Sequence, residues 1–274
     1  MAAVSGVINA GEMRRVARAA ALRGAEVVRE GAAEEAGLGA SAAVRGKGLP
    51  GDWVTDVDLA AEGVIRDVLA SEAPGIPVQG EERGGATEGL RWIVDPLDGT
   101  TNFVHRFPAV GVSVALVDER SGVAGAIAAP FLGDVWHAAR GAGATWEPGD
   151  GGEQRECRVS SSDPERAVVA TGFPFRHKER LERYLAVMTG ALERFEDLRR
   201  PGAASLDLAW VACGVFDGFF ELGLGTWDVA AGGLLIEEAG GVVTDWSGGG
   251  DWLGGDIVAG PAGIHAELVR LAKR

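Results

Sequence analysis

Trp92-Ile93-Val94-Asp95-Pro96-Leu97-Asp98-Gly99-Thr100-Thr101-Asn102-Phe103 is the stretch on which the reading of this chain turns. Trp92 to Val94 has the apolar composition of a short buried strand. Pro96 lacks an N–H and fixes its own φ, so the spacing predicts that the strand ends at Asp95 in a turn. Asp98 then stands beside Gly99 and Thr100, where a helix can begin. Two carboxylates three residues apart at a strand end can converge on one cation. The backbone N–H groups of Gly99 and Thr100 can hold an anion at the helix start. A surface turn in which Asp98 only caps the helix is the competing reading. A calcium loop of the EF-hand kind does not fit, because its oxygen ligands alternate and end in Glu.

Two further acidic sites lie outward from this segment. Gly80-Glu81-Glu82 follows an expected strand, with Glu82 read as solvated or as a group that orients a metal ligand. Trp227-Asp228-Val229 opens a helix that stops at Gly240-Gly241. Asp228 as a plain helix N-cap is the bland alternative there.

Periodicity supplies the frame for these sites. A long amphipathic helix is expected from Ile8 to about Glu35, then a Gly/Pro loop with Lys47, then a second helix from about Val57 to Ala70. Strands are expected at Ile76–Gln79 and Trp92–Asp95, and a three-stranded meander from Ala109 to Arg140. Beyond it come strands near Val168–Thr171 and Phe195–Arg199 around a helix at Lys178–Leu192. The order then alternates: helix Ala204–Cys213, strand Val215–Glu221, helix Trp227–Ala239, strands Val242–Thr244 and Ile257–Ala259, helix Gly263–Ala272. This mixed order predicts layered α/β with two sheets.

Composition narrows the class of function. The chain has 274 residues and a formal net charge of −14, which argues against nucleic acid as the main partner. An acidic protein still binds phosphate if metal ions supply local positive charge. Cys157 and Cys213 form no CxxC pattern, so a disulfide framework or thiolate zinc site is not expected. No uncharged apolar run approaches the ~20 residues of a membrane span, and the N-terminus lacks the charge order of a secretory signal. A cytoplasmic location follows as the expectation. His105, His137, His177 and His265 sit in no nucleophile motif and read as structural or solvated, with His105 the one expected near the site. Trp92, Trp227, Phe219 and Phe220 read as core, and Phe173-Pro174-Phe175 as substrate mouth or subunit contact.

GEE, WIVDPLDGTTNF and WDVAAGGLLIEEAGG, in that order, resemble the motifs of the inositol monophosphatase family. The likeness runs from about Gly46 to Gly260 and includes TDVD, GAASLDLA and VFDGFFELG. It implies the layered α-β-α-β-α sugar-phosphatase fold, with two sheets and helices between and outside them. It implies one domain over residues 1–274, with a metal- and phosphate-binding lobe at about 1–150 and a substrate-side lobe at 151–274. The implied activity is Mg²⁺-dependent hydrolysis of a small polyol phosphate, inositol monophosphate foremost, with two or three ions per site. Fructose 1,6-bisphosphate, NADP, histidinol phosphate and 3′-phosphoadenosine phosphates are substrates of other branches.

Matched by position, Glu81, Asp95, Asp98, Asp228 and the carbonyl of Leu97 are the implied metal ligands. Thr100 and Glu81 are implied to orient the attacking water, with Asp58 and Thr55 nearby and Lys47 as the loop lysine. Gly99 and Thr100 are implied to bind phosphate together with Asp98 and Asp228. Gly202, Ala203, Ala204 and Glu221 match the stretch that contacts the polyol, although Ala203 stands where a hydroxyl residue is often found. The resemblance also implies lithium sensitivity, a homodimer and, for some bacterial relatives, binding to the transcription machinery. The chemistry is coherent: four crowded carboxylates repel one another unless a hard cation sits among them, and Mg²⁺ favours oxygen ligands.

Overall fold

The computed structural model describes residues 9–38, 45–46, 53–119 and 121–273. The chain opens with α1 (Ala10–Leu38), then β1 (Arg45–Gly46), β2 (Trp53–Val54), α2 (Asp56–Glu72), β3 (Val78–Gly80), β4 (Arg91–Asp98) and α3 (Thr100–Val104). The meander follows as β5 (Gly111–Val117), β6 (Gly122–Ala128), β7 (Val135–Ala139), β8 (Ala144–Glu147) and β9 (Arg155–Glu156). The remainder is β10 (Val168–Thr171), α4 (Leu181–Arg194), β11 (Asp197–Arg199), α5 (Ala204–Ala212), β12 (Gly218–Glu221), α6 (Thr226–Glu238), β13 (Val242–Thr244), β14 (Ile257–Gly260) and α7 (Ala262–Ala272).

One sheet of seven strands runs β3-β4-β5-β6-β7-β8-β9, and one of five runs β11-β10-β12-β14-β13. Helices α1 and α2 cover the outer face of the larger sheet, α5 and α6 lie between the sheets, and α7 packs with α4 on the outer face of the smaller one. The fold is therefore α/β, layered α-β-α-β-α as expected. In β5 and β6 every residue is buried, because each face of the strands meets a helix layer. Apart from Leu116, the residues are small or β-branched (GVSVALV, GVAGAIA). For the same reason α6 is apolar all round rather than amphipathic, with Asp228 to Ile236 buried without a break.

The three strands expected from Ala109 to Arg140 are β5, β6 and β7, and the antiparallel meander continues past them with the short β8 and the exposed β9. One expectation about elements needs correcting. The strand carrying Asp95 does not stop there. It runs to Asp98, with Asp95 opposite Ser113 and Asp98 opposite Gly111, so three steps on β4 answer two on β5. Pro96 sits inside this bulge, the place within a central strand where a residue without an N–H is tolerated.

Candidate active site

The bulge builds the centre of the site. In a regular strand, residues three apart point to opposite faces. The extra residue between Asp95 and Asp98 cancels that alternation and turns both carboxylates to one side. Asp228, in the first turn of α6, meets them there: one carboxylate oxygen from each of Asp95, Asp98 and Asp228 lies within 4.8 Å of the others. Asp228 is not the helix N-cap. It stands three residues further in, and its Oδ2 accepts the N–H of the cap residue Gly225 at 2.6 Å.

Hydrogen bonds aim the other two as well. Asp98 Oδ2 accepts both the N–H (2.7 Å) and the hydroxyl (2.6 Å) of Ser205, at the start of α5. Asp95 Oδ1 accepts the N–H of Leu97 at 3.0 Å, while its Oδ2 is buried with no donor at all. A bare carboxylate oxygen in a dry site is costly, and a bound cation would satisfy it. Burial raises Asp95 well above the usual carboxylate range, and the charges of Glu81, Asp98 and Asp228 push in the same direction. Burial likewise lifts Asp228 to about 8, ahead of the repulsion from Asp98 and Glu81. Asp98 rises only to about 6, because the Ser205 bonds oppose its burial. An all-oxygen donor set with one orphaned acceptor and mutual repulsion fits a hard divalent cation.

The cluster lies in a cavity of about 450 Å³ whose lining includes Glu81, Leu97, Gly99, Thr100, Gly202, Ala203, Ala204 and Glu221. Gly99 has φ 86°, and a side chain there would bring its Cβ within 2.9 Å of the Ala109 carbonyl. Only glycine fits this position. Thr100 Oγ1 lies 3.3 Å from Asp58 Oδ1 and 3.2 Å from the Leu97 carbonyl. Asp58 is itself fixed as half of a capping box, its Oδ2 accepting the N–H and hydroxyl of Thr55. Thus Asp58, Glu81, Asp95, Leu97, Asp98, Gly99, Thr100 and Asp228 come together from distant parts of the chain. Lys47 lies outside the described residues.

The same lining holds Glu221, at the end of β12. Its carboxylate occupies the space over Gly172 that any side chain on that residue would fill. Burial raises Glu221 to about 8, with Asp228 adding to the rise and Arg200 opposing it. Phe173, Pro174 and Phe175 line the cavity too, and the Arg200 guanidinium stands 5.5 and 5.6 Å from the two phenyl rings. The histidine at the cavity is His177, not His105, which is exposed and outside the lining. Trp92, Phe219 and Phe220 are core; Trp227 is half-buried.

Ser205 and Asn102 escaped the sequence reading. Asn102 donates to the carbonyls of Ala109 (2.7 Å) and Pro201 (2.9 Å), joining the two loops that flank Gly99. Both residues lie inside quoted motifs, but their roles depend on partners about a hundred residues away, which no local pattern shows.

This fold and this acidic pocket define a class of metal-binding sugar-phosphatase-like proteins. The family model described as the inositol monophosphatase family matches residues 9–274, and the chain belongs to that family. Among relatives, Nus factor SuhB of Escherichia coli is 42% identical over 226 residues, 80% of this chain and 82% of the relative. The crystal structure of the extragenic suppressor protein SuhB from Bartonella henselae matches with TM-score 0.86 at 37% identity, covering 96% of this chain and 98% of that one. The inositol monophosphatase of Anabaena matches with TM-score 0.83 at 31% identity, covering 97% of each chain. Among the described residues no helix is long and apolar enough to cross a membrane.

Proposed function

We propose that this protein is a Mg²⁺-dependent phosphatase that cleaves the phosphate monoester of a small polyol, with myo-inositol monophosphate as the leading substrate. The observation that carries the reading is the convergence of Asp95, Asp98 and Asp228, one oxygen of Asp95 left without a donor, in a cavity whose lining also includes Glu221. We assign Glu81, Asp95, Asp98, Asp228 and the Leu97 carbonyl to holding two or three Mg²⁺ ions. Bound there, Mg²⁺ offsets the charge of the phosphate dianion and makes water a better nucleophile.

The chain's own groups then do the positioning. The Thr100 hydroxyl donates to Asp58 or to the Leu97 carbonyl, which leaves its lone pair to accept from a water. Glu81 takes the second proton of that water as its oxygen attacks phosphorus in line with the ester bond. N–H groups of Gly99 and Thr100 hold phosphate oxygens, and Lys47 adds a positive charge from its loop. The P–O ester bond breaks, the alcohol oxygen leaves and takes up a proton from solvent, and Glu81 returns its proton to solvent. Gly202, Ala203, Ala204 and Glu221 receive the polyol. Since the ligands come from the first lobe and from α6 of the second, the two lobes act as one domain. Leu181, Leu185 and Leu192, a row of exposed apolar residues on α4, support a homodimer.

A substrate panel with the Glu221→Ala variant tests this reading. A hydrogen bond to a charged group contributes about 1.5–3 kcal/mol, so kcat/KM for inositol monophosphate falls about tenfold to a hundredfold. Hydrolysis of an aryl phosphate, which lacks the hydroxyls, stays near the wild-type rate. Equal losses on both substrates would place Glu221 with the metal ligands instead. Preferred turnover of fructose 1,6-bisphosphate, NADP or histidinol phosphate would replace inositol as the substrate. A regulatory role at the transcription machinery is a second reading, supported by the relatives named Nus factor SuhB.

A further inference from the structure

Asp58 and Glu62 stand one helical turn apart on α2, and both side chains are fully buried. Asp58 reaches towards Thr100. Glu62 reaches the turn that presents Glu81. Its Oε2 accepts the N–H groups of Glu82 (2.9 Å) and Arg83 (3.3 Å), the two residues directly after Glu81. Its Oε1 accepts from Nε of Arg66 at 2.7 Å. Arg66 in turn donates to the carbonyls of Gly84 (2.7 Å) and Val78 (3.4 Å), one on either side of the turn.

The turn is shaped to receive this carboxylate. Gly80 and Gly84 close it with reciprocal N–H to carbonyl bonds, both 3.0 Å. Any side chain on Gly80 would occupy the place of the Glu62 carboxylate. The N–H of Glu81 donates to the Val94 carbonyl at 3.1 Å, which locks the turn against the strand that carries Asp95. The neighbouring buried positions of α2, Ala61, Ile65 and Leu69, are apolar. An apolar residue at position 62 would pack there without the cost of burying a charge. The carboxylate's bonds go to the backbone of the Glu81 turn, so its use is directional.

We propose that Glu62, held by Arg66, is the positioning residue for Glu81: it fixes the turn from residue 80 to 84 and so sets where the Glu81 carboxylate stands over the site. The proposal rests on the phosphatase reading for its kinetic readout and on metal binding for an independent one.

Glu62→Gln keeps size and removes function. If the amide oxygen faces the N–H groups of Glu82 and Arg83, the amide N–H₂ meets the Arg66 Nε–H, donor against donor. Partners that orient a metal ligand typically account for about 10- to 100-fold in affinity or activity. The expected result is a loss of that size in kcat for an aryl phosphate, with KM unchanged, and a matching loss in Mn²⁺ affinity by calorimetry without substrate. In an E81Q background, Glu62→Gln should change either quantity by less than ~2-fold, because the two residues act in series. Gly80→Ala, which displaces the Glu62 carboxylate from the other side, should give the same pattern and serves if Glu62→Gln does not fold. Undiminished kcat and Mn²⁺ affinity with only a lower Tm would assign Glu62 to packing and overturn the proposal. A full loss repeated in the E81Q background would overturn it too. If the wild-type protein hydrolyses no phosphate ester, the phosphatase reading fails, and the Mn²⁺ affinities alone decide the role of Glu62.

Discussion

Ser205 holds the clustered carboxylates through two donors, its N–H and its hydroxyl, both aimed at one oxygen of Asp98. Those bonds favour the ionised form and restrain Asp98 to about 6 against its burial. Ser205→Ala keeps the N–H bond and loses the hydroxyl. The Asp98 pKa then rises, protons compete better with metal, and the Mg²⁺ needed for half-maximal activity should increase about 10- to 100-fold. The increase should be larger at pH 6 than at pH 8. An unchanged Mg²⁺ requirement at both pH values would remove Ser205 from the metal site. At this scale the sequence was legible wherever the residue type carried the chemistry: Asp95, Asp98, Asp228 and Thr100 are recognisable acids and a hydroxyl beside turn residues. Ser205 and Glu62 were not legible, because a serine in a helix and a glutamate on an amphipathic surface carry no mark of the partner they meet. The one available hint was Glu62 at i+4 from Asp58, on the same stripe as Ile65 and Leu69.

At the scale of elements, the site depends on how closely α5 and α6 cross, since Ser205 rides on one and Asp228 on the other. Gly232 makes that approach possible: a Cβ on it would overlap Leu208 of α5. Gly232→Val should therefore destabilise the fold by about 1–3 kcal/mol, the usual cost of overpacking. It should also raise the Mg²⁺ concentration needed for activity and for thermal stabilisation, although residue 232 touches no carboxylate of the site. Thermal melts with and without Mg²⁺ check both effects; an unchanged Tm would mean that the helix pair tolerates separation. Most helices were readable from periodicity and from Gly and Pro at their ends, and β13 was expected at its observed Val242–Thr244. The bulge in β4 was not readable. Pro96 looked like a terminator because a proline inside a central strand is normally excluded, and only the pairing with β5 reveals that the strand makes room for it.

At the scale of the whole molecule, the acidic cluster links stability to metal and to pH. Asp95, Asp98, Asp228 and Glu221 all have folded pKa values above those of a free carboxylate, three of them at about 6, 8 and 8. Between the unfolded pKa near 4 and these values the folded chain binds more protons than the unfolded one. In chelator the cluster's repulsion is therefore relieved at low pH, and its penalty should lower stability as pH rises from about 5 to about 8. Mg²⁺ replaces the protons, so in its presence the Tm should vary much less over the same range. A Tm in chelator that rises with pH would contradict this account of the cluster. The central claim is that these carboxylates hold the metal on which phosphate hydrolysis depends. The most direct measurement is phosphate release from myo-inositol monophosphate after chelation, as Mg²⁺ is added back, for the wild type beside Asp98→Asn. The account predicts no turnover in chelator, recovery of the wild type with Mg²⁺, and no recovery of the variant at the same concentrations. Full turnover in chelator, or an Asp98→Asn variant that responds to Mg²⁺ like the wild type, would contradict it.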